Sequence, residues 1–348
     1  MKNDHDRATL QLIGAGETRN TNPRIHRGPR PDSMALTATD KTWLTEQFGG
    51  HVRFDEPMTR HTYFNVGGPA EAFVTPPDTA ALESLMRWCR AGGHPWLVIG
   101  NGSNLLVKDG GIGGVVISLS RCLKDIRPTE GGSDVRLTAQ AGVRLPSLCR
   151  YCIEHGIAGM NFALGIPASV GGAIVMNAGT TRGSMADVVA SIGCLQSDGR
   201  WVRFDRRDLD FSYRCLSWKA SGPTGDGEAT IIVDASFSLK PGDARKLSEE
   251  AAQILKARAE KQPVDQPSAG CFFKNPASGR SAGELIEKAG LKGRQVGGAC
   301  VSTRHANFIV NTGGATARDI LGLMKLVQER VTDKFAVELI PEVKIVGH

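Results

Sequence analysis

The chain contains 348 residues, enough for two or three domains with buried cores. Charged residues make up 22% and apolar residues 41% of the sequence, which excludes collagen-like, coiled-coil and wholly disordered proteins. No apolar stretch reaches the roughly 18–20 residues that cross a bilayer. Glycine is frequent, 42 of 348 residues or about 12% against a usual ~7%. This excess indicates many tight turns, or backbone that a ligand approaches closely.

The formal net charge is +6, and no run of five or more like charges occurs. Such a mild excess favours an anionic small molecule over a nucleic acid as partner. Eight cysteines are scattered along a chain whose first residues lack the apolar core of a secretory signal, so we expect reduced thiols and a cytoplasmic location. Cys149 and Cys152 form a CxxC in a helical pattern without a second pair at zinc spacing. We interpret them as core residues and predict no metal site.

The predicted elements begin after an irregular leader. Residues 1–40 are rich in Asn, Arg, Pro and Gly without sustained periodicity and are predicted to be disordered, with Met34 as an alternative start. A helix is predicted after Pro77 and Asp78, ending at a pair of glycines. The apolar residues 95–100 then predict a buried strand. VVISL and DVRLTAQAG predict further strands, and PSLCRYCIEHG predicts a helix.

The second half of the chain mixes strands and helices. SIGCLQSDGRWVRF predicts a hairpin that turns at Asp198 and Gly199, and residues 221–230 are predicted as a loop before the strand IIVDASFSL. The predictions that follow are a helix at KLSEEAAQILKARAEK, a helix ending at Gly290, one strand over residues 301–311, an amphipathic helix over residues 316–335 and an edge strand over residues 337–347. Because no regular βαβ repeat occurs, the predicted fold class is α+β.

Two glycine-rich segments are candidates for ligand binding. In residues 98–114 a buried strand runs into Gly100, Asn101 and Gly102. Such a turn leaves backbone N–H groups unpaired and suits a pyrophosphate, although an ordinary tight turn explains it equally well. Residues 165–179 also offer backbone donors but are too apolar for a solvent loop. Together the segments indicate a long ligand with phosphate and flat aromatic parts that lies against backbone.

Eight motifs occur in the order found in one enzyme family, from about residue 55 onward. They are RHTYFNVGGPA (60–70), IGNGSNLLV (99–107), GIPASVGGAIVMNAG (165–179), FSYR (211–214), AGCFFKNP (269–276), AGELIEKAGLKG (282–293), VSTRHANFIVN (301–311) and PEVKIVG (341–347). With them the chain resembles the UDP-N-acetylenolpyruvoylglucosamine reductase family, flavoenzymes of peptidoglycan precursor synthesis. The stretch between Val170 and Asp187 has no long insertion and no mobile tyrosine loop, so it resembles the family's shorter subtype.

The resemblance implies a fold and a reaction. The α+β fold would contain a two-subdomain FAD-binding fold of the vanillyl-alcohol-oxidase type at residues 50–118 and 119–243. A C-terminal α+β substrate-binding domain would follow at residues 244–348, with its last strand returning to the FAD part. NADPH would reduce FAD, the flavin would pass hydride to the enolpyruvyl ether of a UDP-sugar, and an enzyme acid would protonate the neighbouring carbon.

Three catalytic residues are implied by the same resemblance. Cys271 stands where the family has its proton donor, most familiarly a serine, and a thiol with an ordinary pKa of about 8.5 is a better acid than a hydroxyl. Arg214 would hold the enolpyruvyl carboxylate with its planar, fixed charge and stabilise the enolate, and Glu342 matches the third position. Leu216 departs from the family pattern, in which a serine is common. Without the resemblance, Cys271 would be interpreted as a packing residue and Arg214 as a solvated charge.

Ligand-binding residues are also implied. Flavin contacts would come from Gly100, Asn101, Gly102, Ser103, Asn104 and Leu105, from Gly165, Ile166, Pro167, Ser169, Val170, Gly171, Gly172 and Ala173, and from Thr62 and Tyr63. The sugar and the pyrophosphate would be bound by Arg258, Lys261, Lys274 and Asn275. A solvated helix face explains Arg258 and Lys261 almost as well, and a plain strand fits Thr62 and Tyr63.

Two alternatives remain open at this stage. An FAD-dependent oxidase of the same fold could act on another alcohol or sugar, but it would not account for the motifs around Cys271 and Glu342. A nucleotide-binding protein without catalysis fits the glycine-rich segments but predicts a colourless protein. For the reductase we expect a UDP-sugar as partner, no nucleic acid or membrane, and a monomer.

Overall fold

The computed structural model describes residues 35–129, 135–218, 230–277 and 279–348. The helices in this part of the chain are α1 Ala38–Phe48, α2 Thr79–Gly92, α3 Leu145–Glu154, α4 Val170–Val175, α5 Ala244–Lys261, α6 Ala282–Lys288 and α7 Ala317–Phe335. The strands are β1 Val52–Pro57, β2 Pro69–Val74, β3 Trp96–Ile99, β4 Leu105–Val107, β5 Ile112–Ser118, β6 Ile126–Thr129, β7 Val135–Gln140, β8 Ile157–Ala158, β9 Gly179–Thr180, β10 Gly183–Ser184, β11 Val189–Gln196, β12 Trp201–Asp205, β13 Leu209–Ser212, β14 Cys215–Trp218, β15 Thr230–Pro241, β16 Ser268–Cys271, β17 Gln295–Val296, β18 Ala299–Val301, β19 Phe308–Asn311 and β20 Lys344–Val346.

The first sheet has the strand order β1-β2-β5-β3, with β2, β5 and β3 parallel and β1 antiparallel to β2. The predicted helix after Asp78 is confirmed as α2. Asp78 caps its N-terminus by accepting a hydrogen bond from the N–H of Ala81, and Gly93 ends it with a φ of 65°. Its buried side chains, Leu82, Leu85, Met86 and Cys89, face the sheet core. The periodicity that predicted the helix is therefore the pattern that buries it.

The second sheet is antiparallel, in the order β12-β11-β15-β7-β6, with β8 paired to one end of β15. The predicted hairpin is confirmed: β11 and β12 pair on either side of a turn in which Gly199 has a φ of 87°. Both cysteines of the CxxC on α3 are buried in the large core that this sheet shares with α2, in agreement with the packing role expected for them. The loop predicted at residues 221–230 falls almost wholly outside the described residues.

The last third of the chain forms most of a second core, between α6, α7 and the sheet β16-β19-β18-β17, to which Phe64, Val66 and Leu106 also contribute. The single strand predicted over residues 301–311 is wrong. The structure divides it into β18 and β19, joined by a turn in which the hydroxyl of Ser302 accepts hydrogen bonds from the N–H groups of Arg304 and His305. A hydroxyl near backbone donors competes with the strand ladder, which is why the alternating pattern breaks there.

The end of the chain returns to the first half. β20 lies parallel to β4, with Lys344 opposite Leu105. The edge strand predicted over residues 337–347 is thus shorter than expected, because its proline interrupts the ladder and only a bridge between Phe273 and Pro341 precedes β20. The C-terminal boundary of the leader predicted for residues 1–40 is wrong, since α1 begins at Ala38 behind a capping box on Thr37, while residues 1–34 lie outside the described residues. Among the described residues no helix is both long and apolar enough to cross a membrane.

Candidate active site

A cavity of about 1360 Å³ lies where the two glycine-rich segments, α5, β16 and the returning end of the chain meet. Pockets for small ligands usually measure about 300–1,000 Å³, so this one is large enough for a long ligand with a second one beside it. Of the residues predicted for the site, those that line it are Gly100, Asn101, Gly102, Ser103, Asn104, Leu105, Ile166, Pro167, Ser169, Gly171, Gly172, Ala173, Arg214, Arg258, Lys261, Cys271 and Glu342.

The first glycine-rich turn, residues 100–104, offers unpaired backbone donors to this cavity. Among the described residues none of its five N–H groups donates a hydrogen bond to the protein. Its carbonyls, in contrast, are held: Gly102 accepts from the N–H of Tyr63 at 3.1 Å and Asn104 accepts from the N–H of Lys344 at 3.0 Å. A fixed turn with unpaired N–H groups is suited to a phosphate, which satisfies the donors without side-chain charge. The ligand interpretation of this turn is therefore favoured over an ordinary tight turn.

The second segment, residues 165–173, forms a close-packed wall. The N–H of Val170 donates to the carbonyl of Val143 and that of Gly171 to the carbonyl of Ala141, while the hydroxyl of Ser169 accepts from the N–H of Gly172 at 3.2 Å. Small residues at these positions allow a flat ring to approach the backbone. The side-chain N–H of Asn101 joins the two segments by donating to the carbonyl of Pro167 at 3.1 Å.

Four predicted flavin residues do not line the cavity. The hydroxyl of Thr62 is engaged with the backbone of Val66, which closes a turn, and Tyr63 acts through its backbone on Gly102. Val170 is completely buried in the main core, and Gly165 accepts a hydrogen bond from Arg258 through its carbonyl. These four residues contact other parts of the protein rather than the cavity. The structure therefore gives no basis for direct contact between their side chains and a cofactor.

Cys271 ends β16 at an irregularity in its pairing with β19, directly after Gly270, whose φ is 76°. The irregularity places the thiol in the cavity wall. Burial raises the pKa of the Cys271 thiol to about 11, and the nearby carboxylate of Glu342 adds to this effect. Arg214, Arg258 and a hydrogen bond from Asn307 act in the opposite direction. At neutral pH the thiol is therefore protonated and able to give a proton.

Arg214 occupies the tight turn between β13 and β14 with a φ of 58°, in the left-handed region that disfavours side chains other than Gly and Asn. Such backbone strain costs about 1–3 kcal/mol and is typical of functional sites. The Nε of Arg214 lies 2.7 Å from Oε1 of Glu342, but its N–H does not meet hydrogen-bond geometry, so we regard the contact as an ion pair. The guanidinium also lies over the ring of Tyr213, 5.2 Å from its centroid.

Glu342 reaches the site through backbone hydrogen bonds rather than by sequence proximity. Its N–H donates to the carbonyl of Phe272 at 2.8 Å, and the side chain of Asn104 donates to the Glu342 carbonyl at 3.2 Å. Burial raises the pKa of the Glu342 carboxyl, an effect that Arg214 opposes. The segment that carries the glutamate is thus fastened both to the residue after Cys271 and to the first glycine-rich turn.

The predicted substrate residues divide into two groups. Arg258 and Lys261 lie on α5 and line the cavity; Arg258 also donates to the carbonyl of Gly165 at 3.2 Å, and burial lowers its pKa. Lys274 and Asn275 lie outside the lining. The side-chain oxygen of Asn275 accepts from the N–H of Ala282 at the start of α6, which fixes it in a structural role. The amide nitrogen of Asn275 and the second lone pair of its oxygen are the groups that a substrate could still contact.

Three polar residues that the sequence did not indicate as site residues lie at the site or next to it. Lys344 and Arg182 line the cavity, and Asn307 holds the strand that carries Cys271. Lys344 follows Glu342 by two residues in an extended segment, a spacing that puts both side chains on one face and could have been read from the sequence. Nothing in the sequence around Arg182 indicates a site.

Together with two family models, these features define a class of protein: an FAD-binding oxidoreductase with an α+β fold. Residues 70–205 match the model of an FAD binding domain, and residues 262–346 match the C-terminal domain of UDP-N-acetylenolpyruvoylglucosamine reductase. The unpaired N–H groups of the first turn and the small-residue wall fit the diphosphate and the ring of that cofactor.

Similar proteins identify the family. A UDP-N-acetylenolpyruvoylglucosamine reductase of Desulfosudis oleivorans is 47% identical over 88% of this chain and 98% of its own length. One of Heliobacterium modesticaldum is 45% identical over 88% of this chain and 94% of its own length. The crystal structure of UDP-N-acetylenolpyruvylglucosamine reductase (MurB) from Thermus caldophilus covers 85% of this chain and 98% of its own, with 34% identity and a TM-score of 0.67. The chain belongs to the UDP-N-acetylenolpyruvoylglucosamine reductase family, which confirms the resemblance found in its motifs.

Proposed function

We propose that the protein reduces the enolpyruvyl ether of UDP-N-acetylglucosamine to UDP-N-acetylmuramate, with NADPH as the reductant of its FAD. The observation that carries this proposal is the meeting of Arg214, Cys271 and Glu342, from three distant parts of the chain, in the cavity that both glycine-rich segments line. Bound FAD supplies the hydride. The protein supplies a proton, charge stabilisation and a site for both ligands.

Cys271 is the proposed proton donor. Because its pKa is raised to about 11, the S–H bond persists at neutral pH until a carbanion-like carbon develops beside it. The proton then moves from sulfur to that carbon, the electron pair stays on sulfur as a thiolate, and solvent returns the proton afterwards. Arg214 and Arg258, whose charges lower the pKa of the thiol, stabilise this thiolate.

Arg214 is proposed to bind the carboxylate of the enolpyruvyl group, where negative charge grows as hydride is added. Glu342 orients the guanidinium through the 2.7 Å ion pair. The described lining of the cavity carries five basic side chains, Arg182, Arg214, Arg258, Lys261 and Lys344, against the single acidic side chain of Glu342. This excess suits a ligand with a pyrophosphate and a carboxylate. Arg258 and Lys261 are the proposed pyrophosphate contacts.

The finer organisation is part of the same proposal. FAD would be held by residues 50–118 and 119–243 and the sugar nucleotide by residues 244–348, a division supported by the second core, most of which the last third forms, and by the return of β20 to β4. The short connection from α4 to β9 supports the shorter subtype. We further propose a monomer that acts in the cytoplasm, in the supply of cell-wall precursor for growth and division; the free thiols of the described cysteines support that compartment.

Replacement of Cys271 tests the proposal. The purified wild-type protein should be yellow and should be bleached by NADPH, and adding the enolpyruvyl sugar nucleotide should restore the colour. We expect Cys271→Ala to be bleached at the wild-type rate and to lose about 100-fold or more of sugar-dependent recovery, since general acid catalysis contributes roughly 10²–10⁴-fold. Cys271→Ser should retain measurable turnover.

Two outcomes would overturn parts of the proposal. Full activity of Cys271→Ala would remove Cys271 as the proton donor. Wild-type protein that is reoxidised by oxygen as fast without the sugar nucleotide as with it would instead favour an oxidase. Cys300, which is buried outside the cavity lining, gives the matched control: Cys300→Ala should leave both half-reactions unchanged.

A further inference from the structure

Asn307 is a buried polar residue next to the candidate active site that none of the roles above includes. It lies in the turn between β18 and β19, directly before β19, and is 4% exposed. Its own backbone is fixed, because its N–H donates to Nδ1 of His305 at 3.2 Å. Burial lowers the pKa of His305, so its ring stays neutral at physiological pH and Nδ1 remains an acceptor.

The side chain of Asn307 hydrogen-bonds to the backbone just after Cys271. Its Oδ1 accepts from the N–H of Phe273 at 2.9 Å, and its Nδ2 donates to the carbonyl of Phe273 at 2.8 Å. Its main-chain carbonyl accepts from the N–H of Phe272 at 2.7 Å. Three hydrogen bonds therefore connect one residue to the two that follow the thiol. They hold the segment directly after the irregular pairing of β16 with β19, which ends at Cys271.

Beside these backbone contacts, a hydrogen bond from the Asn307 side chain lowers the pKa of the Cys271 thiol, against the burial that raises it. The charged groups that act on this sulfur are Glu342, which raises the pKa, and Arg214 and Arg258, which lower it. Asn307 differs from all three because it is uncharged and is fixed by its backbone contacts. It is thus the one neutral donor among the groups that act on the thiol in the described part of the chain.

We propose that Asn307 is a positioning residue for proton transfer, which directs the Cys271 sulfur into the cavity and stabilises the thiolate left when the proton departs. This role rests on the proposed function of Cys271 as the donor. When the S–H bond breaks and the new C–H bond forms, the electron pair stays on sulfur, and the Asn307 N–H is already in place to donate to it. The turn at residues 302–307, between β18 and β19, places this amide beside the segment that carries Cys271.

Asn311 provides a matched control on the same strand. It is also buried, its Nδ2 donates to the carbonyl of Phe64 at 2.9 Å, and its Oδ1 accepts from the N–H groups of Gly313 and Ala315. It has the same chemistry and a similar role in holding backbone, but among the described residues it is not one of the groups that act on the Cys271 thiol, and it does not line the cavity. Substitutions of Asn311 therefore report the cost of losing such a clamp without affecting the thiol.

The test measures the reactivity of Cys271 directly in the FAD-loaded protein. Holoenzymes of the wild type, Asn307→Ala, Asn307→Asp, Asn311→Ala and Asn311→Asp are treated with iodoacetamide between pH 8 and pH 9.5, and alkylation of the Cys271 peptide is followed by mass spectrometry. Only the thiolate reacts, so below the pKa each rate is proportional to the thiolate fraction. We expect Asn307→Ala to react about fivefold to tenfold more slowly than the wild type, the factor that one hydrogen bond is worth. Asn307→Asp should react more slowly still, because a carboxylate disfavours a neighbouring thiolate.

The half-reactions provide the second measurement. In both Asn307 variants bleaching by NADPH should keep its rate, while recovery by the enolpyruvyl sugar nucleotide should slow by about tenfold or more. The Asn311 variants should match the wild type in alkylation even where their thermal stability falls. If Asn307→Asp, which keeps an acceptor for the Phe273 N–H, folds and its Cys271 reacts within about twofold of the wild-type rate, the proposal is overturned. If the wild type itself fails to use the sugar nucleotide while alkylation still depends on Asn307, the proposed function fails and the link between Asn307 and the thiol stands.

Discussion

The two glycine-rich segments line one cavity but use their backbone N–H groups in opposite ways. The turn at residues 100–104 leaves all five without an acceptor among the described residues, whereas the wall at residues 165–173 directs those of Val170, Gly171 and Gly172 to Val143, Ala141 and Ser169. The turn is thus suited to bind an anion through donors, and the wall is suited to admit a flat ring through close approach. The same composition therefore serves two parts of one ligand.

The largest expected effect on this difference between turn and wall comes from adding a methyl group to the turn, with the substitution Gly102→Ala. Gly102 has a φ of 65°, and a Cβ there would overlap the backbone carbonyl of His61, so Gly102→Ala must move the turn. We expect FAD affinity to fall by about 100-fold or more, with the variant purified colourless. Quenching of flavin fluorescence during titration gives the affinity.

Gly172→Ala is the matched control for the wall. A Cβ there would meet only the hydroxyl of Ser169 at 3.2 Å, and its φ is ordinary, so the backbone can stay in place. Because Gly172 lines the cavity on the side of the wall, we expect the affinities for FAD and riboflavin to fall together, by no more than about fivefold. Riboflavin, which lacks the diphosphate, should bind wild type and Gly102→Ala with the same affinity. Equal losses of FAD affinity in the two glycine variants, or a loss of riboflavin binding in Gly102→Ala, would contradict the idea that the turn binds the diphosphate and the wall admits the ring.

Substitutions of two asparagines in the turn should have smaller effects, one on FAD binding and the other on the reaction with the sugar nucleotide. Asn101 is tied to the wall at Pro167, and Asn104 is tied to the segment of Glu342. Loss of one hydrogen bond is worth about fivefold to tenfold. Asn101→Ala should therefore weaken FAD binding by that factor, while Asn104→Ala should slow reoxidation by the sugar nucleotide by a similar factor. Stopped-flow absorbance measures the second, and a reversal of the two effects would show that the ties do not act separately.

The smallest expected effect is in the wall. Ser169 is buried, and its hydroxyl already accepts from the N–H of Gly172, so it caps α4. Ser169→Ala should reduce the free energy of unfolding by about 1 kcal/mol, equally with and without FAD. Thermal denaturation of both forms checks this. A destabilisation confined to the FAD-bound form would instead mean that the hydroxyl binds the cofactor.

Local rules were sufficient to predict the capped and periodic elements. α2, the hairpin at Gly199 and the burial of both CxxC cysteines follow from side-chain pattern and turn chemistry alone. The glycine content indicated a ligand but not its chemistry. The resemblance, not the pattern, singled out Arg214 and Glu342, because nothing local distinguishes a partly buried ion pair from two surface charges.

What the sequence could not predict depends on contacts between distant residues. The turn that breaks the strand expected over residues 301–311 begins with the hydrogen bonds of Ser302, but its other end is fixed by Asn307, which is bound to Phe273, 34 residues away. Thr62 was expected at the cofactor, but its hydroxyl is engaged with Val66. Alternation of residue types carries no information about such partners, and the break falls where local preference gives way to the site.

The pairing of β20 with β4 has a consequence for the order in which the protein becomes competent. Leu105 emerges from the ribosome 239 residues before its partner Lys344, and Glu342, two residues earlier, approaches Arg214 only when that late segment docks. A nascent chain can complete the two sheets formed by residues 52–241 and still lack the strand beside the first turn. Contacts of such long sequence separation form slowly. Synthesis interrupted before residue 342 would therefore yield chains that lack Glu342, so that the candidate site is complete only after this segment has been made and has docked.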